Sequence, residues 1–490
     1  MPRLACLVVP DLPVAAVCRT DPDLTGRPLA LTEGAGSHAR VTAVSAAART
    51  RGLRPGIHTA AQARMLATDL LLRPRDAAAE RSAACALADV AGSLASRVEV
   101  AADGAVYLDA TGATHLVAGE RGLATALVAR AARVGLAGRA GVGTSMTVAR
   151  LAALHGDGAT VVPAGTELGF LAPLPIACLA PPPEIAATLA RWGVHRLGEL
   201  ARLPIAEVAT RLGPAGAALV HTARGEDARP LAPRPPDADV EEAVALEEYP
   251  LDALEPLLFV LRGLAERAVA RLGLAGIGCT RLALHLGLTD RSRDARTLPL
   301  AAPTRDVRTL LVCLRAALET HPPRAAVERV ALVVTPAAVR PTQLGLFTPP
   351  GPAPERLAAT LARLGVLCGE GRVGAPVVVD THRPGAAALA PFPAETPDAP
   401  PPNACRLAVR ALRPPRPLEV FSDRGEPAFV RGDGMGGRVI GAAGPWRLTG
   451  EWWTDAPLAR DYWDLELSDG GLYRCFHDAG GTWFVDGCYD

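Results

Sequence analysis

Two proline-rich stretches, PLAPRPP at residues 230–236 and PAETPDAPPPN at 393–403, constrain this chain more than any other feature. Proline has no amide hydrogen and a fixed φ, so neither stretch continues a helix or the middle of a sheet. The chain is therefore cut into segments that must each bury a core of their own. Its 490 residues, 49% of them apolar, suffice for several such cores. Residues 1–165 alternate strand-like and helix-like runs, the pattern of a sheet with helices packed on it. Leu4–Val9 is an apolar strand and Arg75–Arg97 an Ala-rich helix. Val98–Val100 with Ala105–Leu108 forms a candidate hairpin, and Leu123–Val134 a further helix.

Residues 166–235 give short amphipathic helices instead, at 185–191, 197–202 and 205–212, joined by the turns WGVH and LPIA. They fit a helix-hairpin-helix module, whose turn amides can meet a phosphate, or equally an ordinary helical subdomain. After the acidic linker PLAPRPPDADVEE, residues 240–340 read β-α-β-β-α-β, the ferredoxin-like split pattern. Its strands are 243–246, 280–288, 297–301 and 327–335, and its helices run from 254 to 268 and from 307 to 318. Residues 341–403 are Pro- and Gly-rich with one short helix at 357–364. Residues 404–490 carry five of the six Trp, with strand-like runs between turns such as DGMGG and DGG: a small β-rich module. The expected fold class is multidomain, α/β followed by α+β.

Charge narrows the function. Fifty-one basic residues balance 51 acidic ones, so the chain has no uniform cationic surface with which to coat nucleic acid. All the basic residues are Arg, which excludes any mechanism that needs a lysine. Ten Cys are scattered with no CxxC pair and no Cys/His set, which points to buried thiols in a reducing compartment rather than to disulfides or a metal site. The N-terminal apolar run breaks at Pro10 and Asp11, and no segment has the apolar length of a membrane span, so an intracellular protein is expected.

Four segments together carry a resemblance. SAAARTRGLRPGI (45–57) resembles the finger motif SYEARxxGVRxGM through Ser45, Ala48, Arg49, Gly52, Arg54 and Gly56. GVGTSMTVARLAA (141–153) is similar to GIAxNKxLAKLAS, and VEVAADGAVYLDATG (98–112) to VExySIDEAFLDxTG. LACLVVPDLPVAAV fits the strand that opens a polymerase palm. By these the chain resembles the Y family of translesion DNA polymerases, over residues 1 to about 340. The resemblance implies palm and fingers (1–165), a helix-hairpin-helix thumb (166–235) and a split-β little finger (240–340).

It also implies where chemistry should be. The family holds two Mg²⁺ ions with three acids, and Mg²⁺ demands carboxylate oxygen. Here those positions fall on Val9, Gly104 and Ala105. Asp11 stands where a secondary acid lies, and Asp103 is one residue out of register, which in a strand turns a side chain to the other face. Of the triphosphate contacts, Arg49 is retained as a vestige, the Tyr position is Ala46, and the Lys position is Met146. The expectation is an inactive palm with no cofactor. The alternative is a weak polymerase in which Asp11, Asp103 and Asp109 hold Mg²⁺.

Gln343-Leu344-Gly345-Leu346-Phe347 resembles the sliding-clamp peptide QLxLF. An extended peptide can seat Leu346 and Phe347 in an apolar pocket while Gln343 hydrogen-bonds at its rim, and flanking prolines lower its ordering cost. Missing acids, this peptide, the stretch VVVDTHRPGAAALAPF (377–392) and the aromatic tail at 444–490 together resemble the ImuB branch of the family. That branch implies an adaptor in SOS mutagenesis, cytoplasmic and nucleoid-associated. Its partners are the polymerase III sliding clamp (beta subunit), an error-prone C-family polymerase, an ImuA-type RecA-like protein and, weakly, damaged primer-template DNA.

Arg291, Arg293 and Arg296, with Asp290 and Asp294 among them, fit a DNA phosphate contact or equally a solvated loop, and the turn Trp192–His195 is the other DNA-contact candidate. Partner contact is assigned to Trp446, Trp452 and Trp453, although most of Trp446, Trp452, Trp463 and Trp483 are expected to fill a small core. His155, His382 and His477 lack catalytic partners in sequence and read as structural.

Overall fold

The computed structural model describes residues 3–34, 36–227, 229–233, 235, 237–246, 249–339, 354–369, 371–377, 379–381, 383–384, 386, 388–390, 408–455 and 457–489. The chain forms two compact units, Met1–Leu367 and Cys368–Asp490.

In the first unit β1 (Leu4–Val8) lies at the centre of the main sheet. β2 (Leu29–Glu33), β3 (Arg40–Val44) and β4 (Leu71–Pro74) form a separate fingers-like sheet in the order β3-β2-β4. β5 (Val98–Val100), β6 (Val106–Asp109), β7 (Arg139–Gly143) and β8 (Ala159–Val161) complete the main sheet in the order β5-β6-β1-β7-β8. β1 is apolar throughout because both of its faces are covered. Ala5, Leu7 and Val9 join the core under the helices Ala77–Gly92 and Gly119–Arg133. Leu4, Cys6 and Val8 join Ala105, Tyr107 and the helix Met146–His155 on the other face.

Three helices follow, Pro183–Arg191, Leu197–Ala201 and Ile205–Ala223; the last breaks at Gly213 (φ 70), just before Pro214. The split-β domain has β9 (Val240–Ala245), β10 (Ile277–Leu288), β11 (Arg293–Thr304) and β12 (Val327–Ala338), antiparallel in the order β11-β10-β12-β9. Leu282, Leu284 and Leu286 alternate inward, as do Val330, Leu332 and Val334, onto the helices Leu254–Leu274 and Val307–Thr320. The helix at Pro354–Cys368 is longer than expected.

The sequence reading of an acidic linker through Glu242 is corrected here. Glu242 sits within β9 and is fully buried. Its carboxylate accepts from Arg19 (2.9 and 2.8 Å), Ser82 (2.6 Å), Arg267 (3.1 Å) and Arg271 (3.1 Å). Arg19 and Ser82 belong to helices under the main sheet, whereas Arg267 and Arg271 belong to the split-β domain. Arg271 also reaches Asp89 at 2.6 Å. The little finger is thus joined to the palm by a buried charge cluster that a reading of local composition cannot see, because its members lie 223 and 160 residues apart.

The second unit pairs β13 (Ala375–Val377) with β14 (Ala388–Ala390) and closes six strands into a barrel. These are β15 (Val409–Asp423), β16 (Glu426–Gly432), β17 (Met435–Gly450), β18 (Leu458–Leu467), β19 (Leu472–Asp478) and β20 (Trp483–Tyr489). Leu418, Val430, Trp463, Leu465, Cys475 and Val485 fill it, and Trp463 lies 6.4 Å from Trp483. The expectation that most of the four tail Trp fill the core is corrected: Trp463 and Trp483 do, while Trp446 and Trp452 are exposed.

Candidate functional site

The three positions that should bear catalytic acids meet at the ends of β1 and β6. The antiparallel register pairs Leu4 with Asp109 and Leu7 with Val106. Continued, it sets Val8 opposite Ala105 and Val9 opposite Gly104. What stands at these positions is apolar. Val9 is 5% exposed and Ala105 is fully buried. Ala105 shares its cluster with Cys6, Val8, Tyr107 and Met146, so the Lys position too has become part of an apolar wall. Gly104 turns the hairpin at φ +80, where a side chain is strained, and a Cβ there would lie 2.2 Å from Leu12 Cδ2. No carboxylate stands at these three positions, and apolar side chains pack around them.

The acids that remain are each bound to an arginine. Asp11 has left-handed backbone at the start of the helix Leu12–Thr20, yet its carboxylate caps no amide. Both of its oxygens accept from Arg49 Nη2 at 2.7 Å. Asp103 pairs with Arg150 at 2.5 Å. Burial opposes the charged form of Asp103, but hydrogen bonding and charge from Arg150 outweigh it and hold the carboxyl below its ordinary value. Arg150 also bonds Tyr107, whose hydroxyl burial pushes up to about 12. Asp109 caps the short helix that follows β6, accepting from the Thr111 amide. A pair of Mg²⁺ ions does not fit this donor set. Among the described residues no three His, Cys, Asp or Glu side chains converge.

The DNA candidates separate. Arg291 and Arg293 are exposed at the β10–β11 hairpin. Arg296 points to the helix side of β11, is bound by Asp294 at 3.0 and 2.5 Å, and donates to the Ala317 carbonyl. Its assignment to a DNA surface is corrected: position 296 shares the parity of buried Leu298. The open face of the sheet instead carries exposed Arg281, His285, Arg293 and Arg329 among Ala283, Thr297, Gly287 and Ala331. Arg281 and Arg329 escaped the sequence reading, although they alternate out of phase with the buried Leu and Val of their strands. The turn at Trp192–His195 has no amide to spare. Trp192, Gly193 and Val194 bond the preceding helix, and His195 and Arg196 both donate to Glu199. His155 lies 3.1 Å from Cys178, and His477 lies 3.6 Å from Asp461.

Trp446, Trp452 and Trp453 are 51%, 81% and 70% exposed. Gln343, Leu344, Leu346, Phe347 and His382 lie outside the described residues. Among the described residues, no helix is long and apolar enough to cross a membrane.

A palm-like sheet joined to a fingers-like sheet, a helical module and a split-β domain defines a homologue of the Y-family DNA polymerases. Residues 11–154 match the impB/mucB/samB family, and residues 245–345 match that family's C-terminal domain. Protein ImuB of Caulobacter vibrioides (strain NA1000 / CB15N) is 30% identical, covering 89% of this chain and all of its own. DNA polymerase IV 2 of Mesorhizobium japonicum is 29% identical over 74% of this chain and 86% of its own. The crystal structure of DinB from Sulfolobus solfataricus superposes on 69% of this chain and all of its own, at 18% identity and a TM-score of 0.41. The chain belongs to the ImuB type of Y-family polymerase homologues.

Proposed function

We propose that this chain is a non-catalytic adaptor in error-prone translesion synthesis, active in SOS mutagenesis in the cytoplasm. It would tether itself to the sliding clamp and recruit a C-family polymerase and an ImuA-type partner. One observation carries the loss of catalysis: the metal-binding positions Val9, Gly104 and Ala105 are built into packed apolar structure, and Asp11 and Asp103 are neutralised by Arg49 and Arg150. Without the metals the reaction loses its main source of charge stabilisation. Clamp binding through Gln343, Leu344, Leu346 and Phe347 rests on the peptide's resemblance and its Pro-rich surroundings. The exposed Trp446, Trp452 and Trp453 support recruitment through the barrel. Arg281, Arg293 and Arg329 support weak contact with primer-template backbone.

The test is clamp binding by surface plasmon resonance, wild type against Leu346→Ala/Phe347→Ala, with primer extension in Mg²⁺ on the same samples. Binding lost in the variant, and no extension by either protein, is the expected result. Extension by contaminant-free wild type that disappears on Asp11→Ala would establish a weak polymerase instead.

A further inference from the structure

We propose that Trp452 and Trp453 form a preset two-ring anchor for an apolar pocket on a partner protein, and that Thr381 and Arg383 are positioning residues that hold it. This rests on the reading of the C-terminal unit as a recruitment module. The rings meet edge to face, 5.5 Å apart at 86°, on the turn that leaves β17. They are the most exposed aromatic pair among the described residues of this unit. Such an area of indole in water is unfavourable unless something covers it, and Trp dominates the contacts that matter at protein interfaces.

The turn is fixed from beneath. The amide and hydroxyl of Thr454 donate to the Glu451 carbonyl at 3.0 and 2.9 Å. Glu451 itself has φ 54, a left-handed conformation that costs energy for any residue with a Cβ. Its carboxylate accepts from Thr381 Oγ1, from Arg383 Nε at 2.9 Å and from Arg383 Nη2. Thr381 also accepts from the Arg383 amide at 3.1 Å, so the two donors are set by each other. Residues 68 and 70 positions away in sequence therefore hold the strained residue that immediately precedes the two Trp. Fixing the turn before association lowers the ordering cost of binding.

The surroundings favour a protein over a nucleic acid. Stacked bases bring phosphates, which need free cations beside the rings. Here Arg383 is held by Glu451, and Arg447 is held by Asp461 at 2.8 Å twice, while Asp455 is exposed in the same turn. The fitting pocket is apolar with a basic rim.

The full chain, labelled with fluorotryptophan, gives one fluorine resonance for each of its six Trp; Trp452→Phe and Trp453→Phe assign two of them. Arg383→Ala should sharpen those two by releasing the turn and leave in place the signals of the barrel-core Trp463 and Trp483, assigned in the same way with Trp463→Phe and Trp483→Phe, which shows an intact barrel. The C-family polymerase and the ImuA-type protein of the same organism are then separate analytes. Trp452→Ala/Trp453→Ala should weaken capture of one of them by about tenfold or more, and Arg383→Ala by a similar factor, with no further loss when combined. Restoring the pair in reverse, Arg383→Glu with Glu451→Arg, should recover binding. If the Trp variant loses binding but Arg383→Ala does not, the positioning role is overturned and recruitment stands. If the Trp variant binds both analytes like wild type, the anchor is overturned; if deletion of 408–490 also leaves binding intact, the recruitment reading falls with it. An oligo(dT) strand bound by wild type and lost in the Trp variant would overturn the protein pocket in favour of base stacking.

Discussion

Glu242→Gln removes the single negative charge that three arginines share. The side chains of Arg19 and Arg271 are 2% exposed and that of Arg267 is 13% exposed, so water cannot replace the lost partner. Arg271 keeps Asp89, but among the described residues Arg19 and Arg267 keep no carboxylate. Removing one partner of a buried ion pair costs about 3–5 kcal/mol, because a charge is left uncompensated. Gln preserves shape and some hydrogen bonds, so the lower end, about 3 kcal/mol, is expected for it and the upper end for Glu242→Ala. Hydrogen exchange in the helices Ala77–Gly92 and Leu254–Leu274 reads this locally, since both pack at the cluster. A loss below about 1 kcal/mol, or roughly fivefold in protection, would refute the account. The pH dependence gives an independent check. Burial alone would raise the Glu242 carboxyl, but Arg19, with help from Arg271 and Ser82, holds it below its ordinary value of 4.5. A folded-state value below the unfolded one means that the contribution is complete above about pH 4.5 and is lost as pH falls through the folded value. Wild type should lose protection in that acid window, and the Gln variant should lack this component.

Three further outcomes are expected. Putting acids back, as Val9→Asp/Gly104→Asp/Ala105→Glu, should give no primer extension and lower the unfolding free energy by at least about 1–3 kcal/mol, because Leu12 and the apolar wall must shift. Asp11→Ala should change stability by no more than about 1 kcal/mol in denaturant melts, since the side chains of Asp11 and Arg49 are 35% and 41% exposed. Arg281→Ala/Arg293→Ala should reduce the slope of log affinity for primer-template DNA against log salt by about 1–2, whereas Arg296→Ala should leave it unchanged.

Most of the fold was legible because burial leaves a period in the sequence. β1 reads as an unbroken apolar run, and the helices of the split-β domain read as stripes. Of the candidate site, the lack of carboxylates at positions 9, 104 and 105 was legible directly, and strand register shows where they lie: Leu7 pairs with Val106, with Val9 one residue beyond β1 and Gly104 two residues before β6. What escaped was set by distant partners. Glu242 looks like linker because the arginines that bury it come from other elements. Arg296 looks like a DNA contact until Leu298 fixes the face of its strand. The fingers-like strands escaped because their burial leaves no clean signal: β2 is buried only over its first three residues, and β4 is half-buried over its first three and then exposed. Which Trp fill the barrel and which leave it depends on closure, and closure is not written locally.

Leu12 and Gly104 also bear on how the palm can change. A branched side chain stands where a Cβ on Gly104 would go, so an acid introduced there alone would be jammed against a methyl group, with no carboxylate at positions 9 and 105 to share a metal. Asp103 and Arg150 are tied to each other, so freeing either one also alters the surroundings of the other. A metal site at this place is reached only by several coordinated changes, whereas the exposed surfaces of the chain can change one residue at a time.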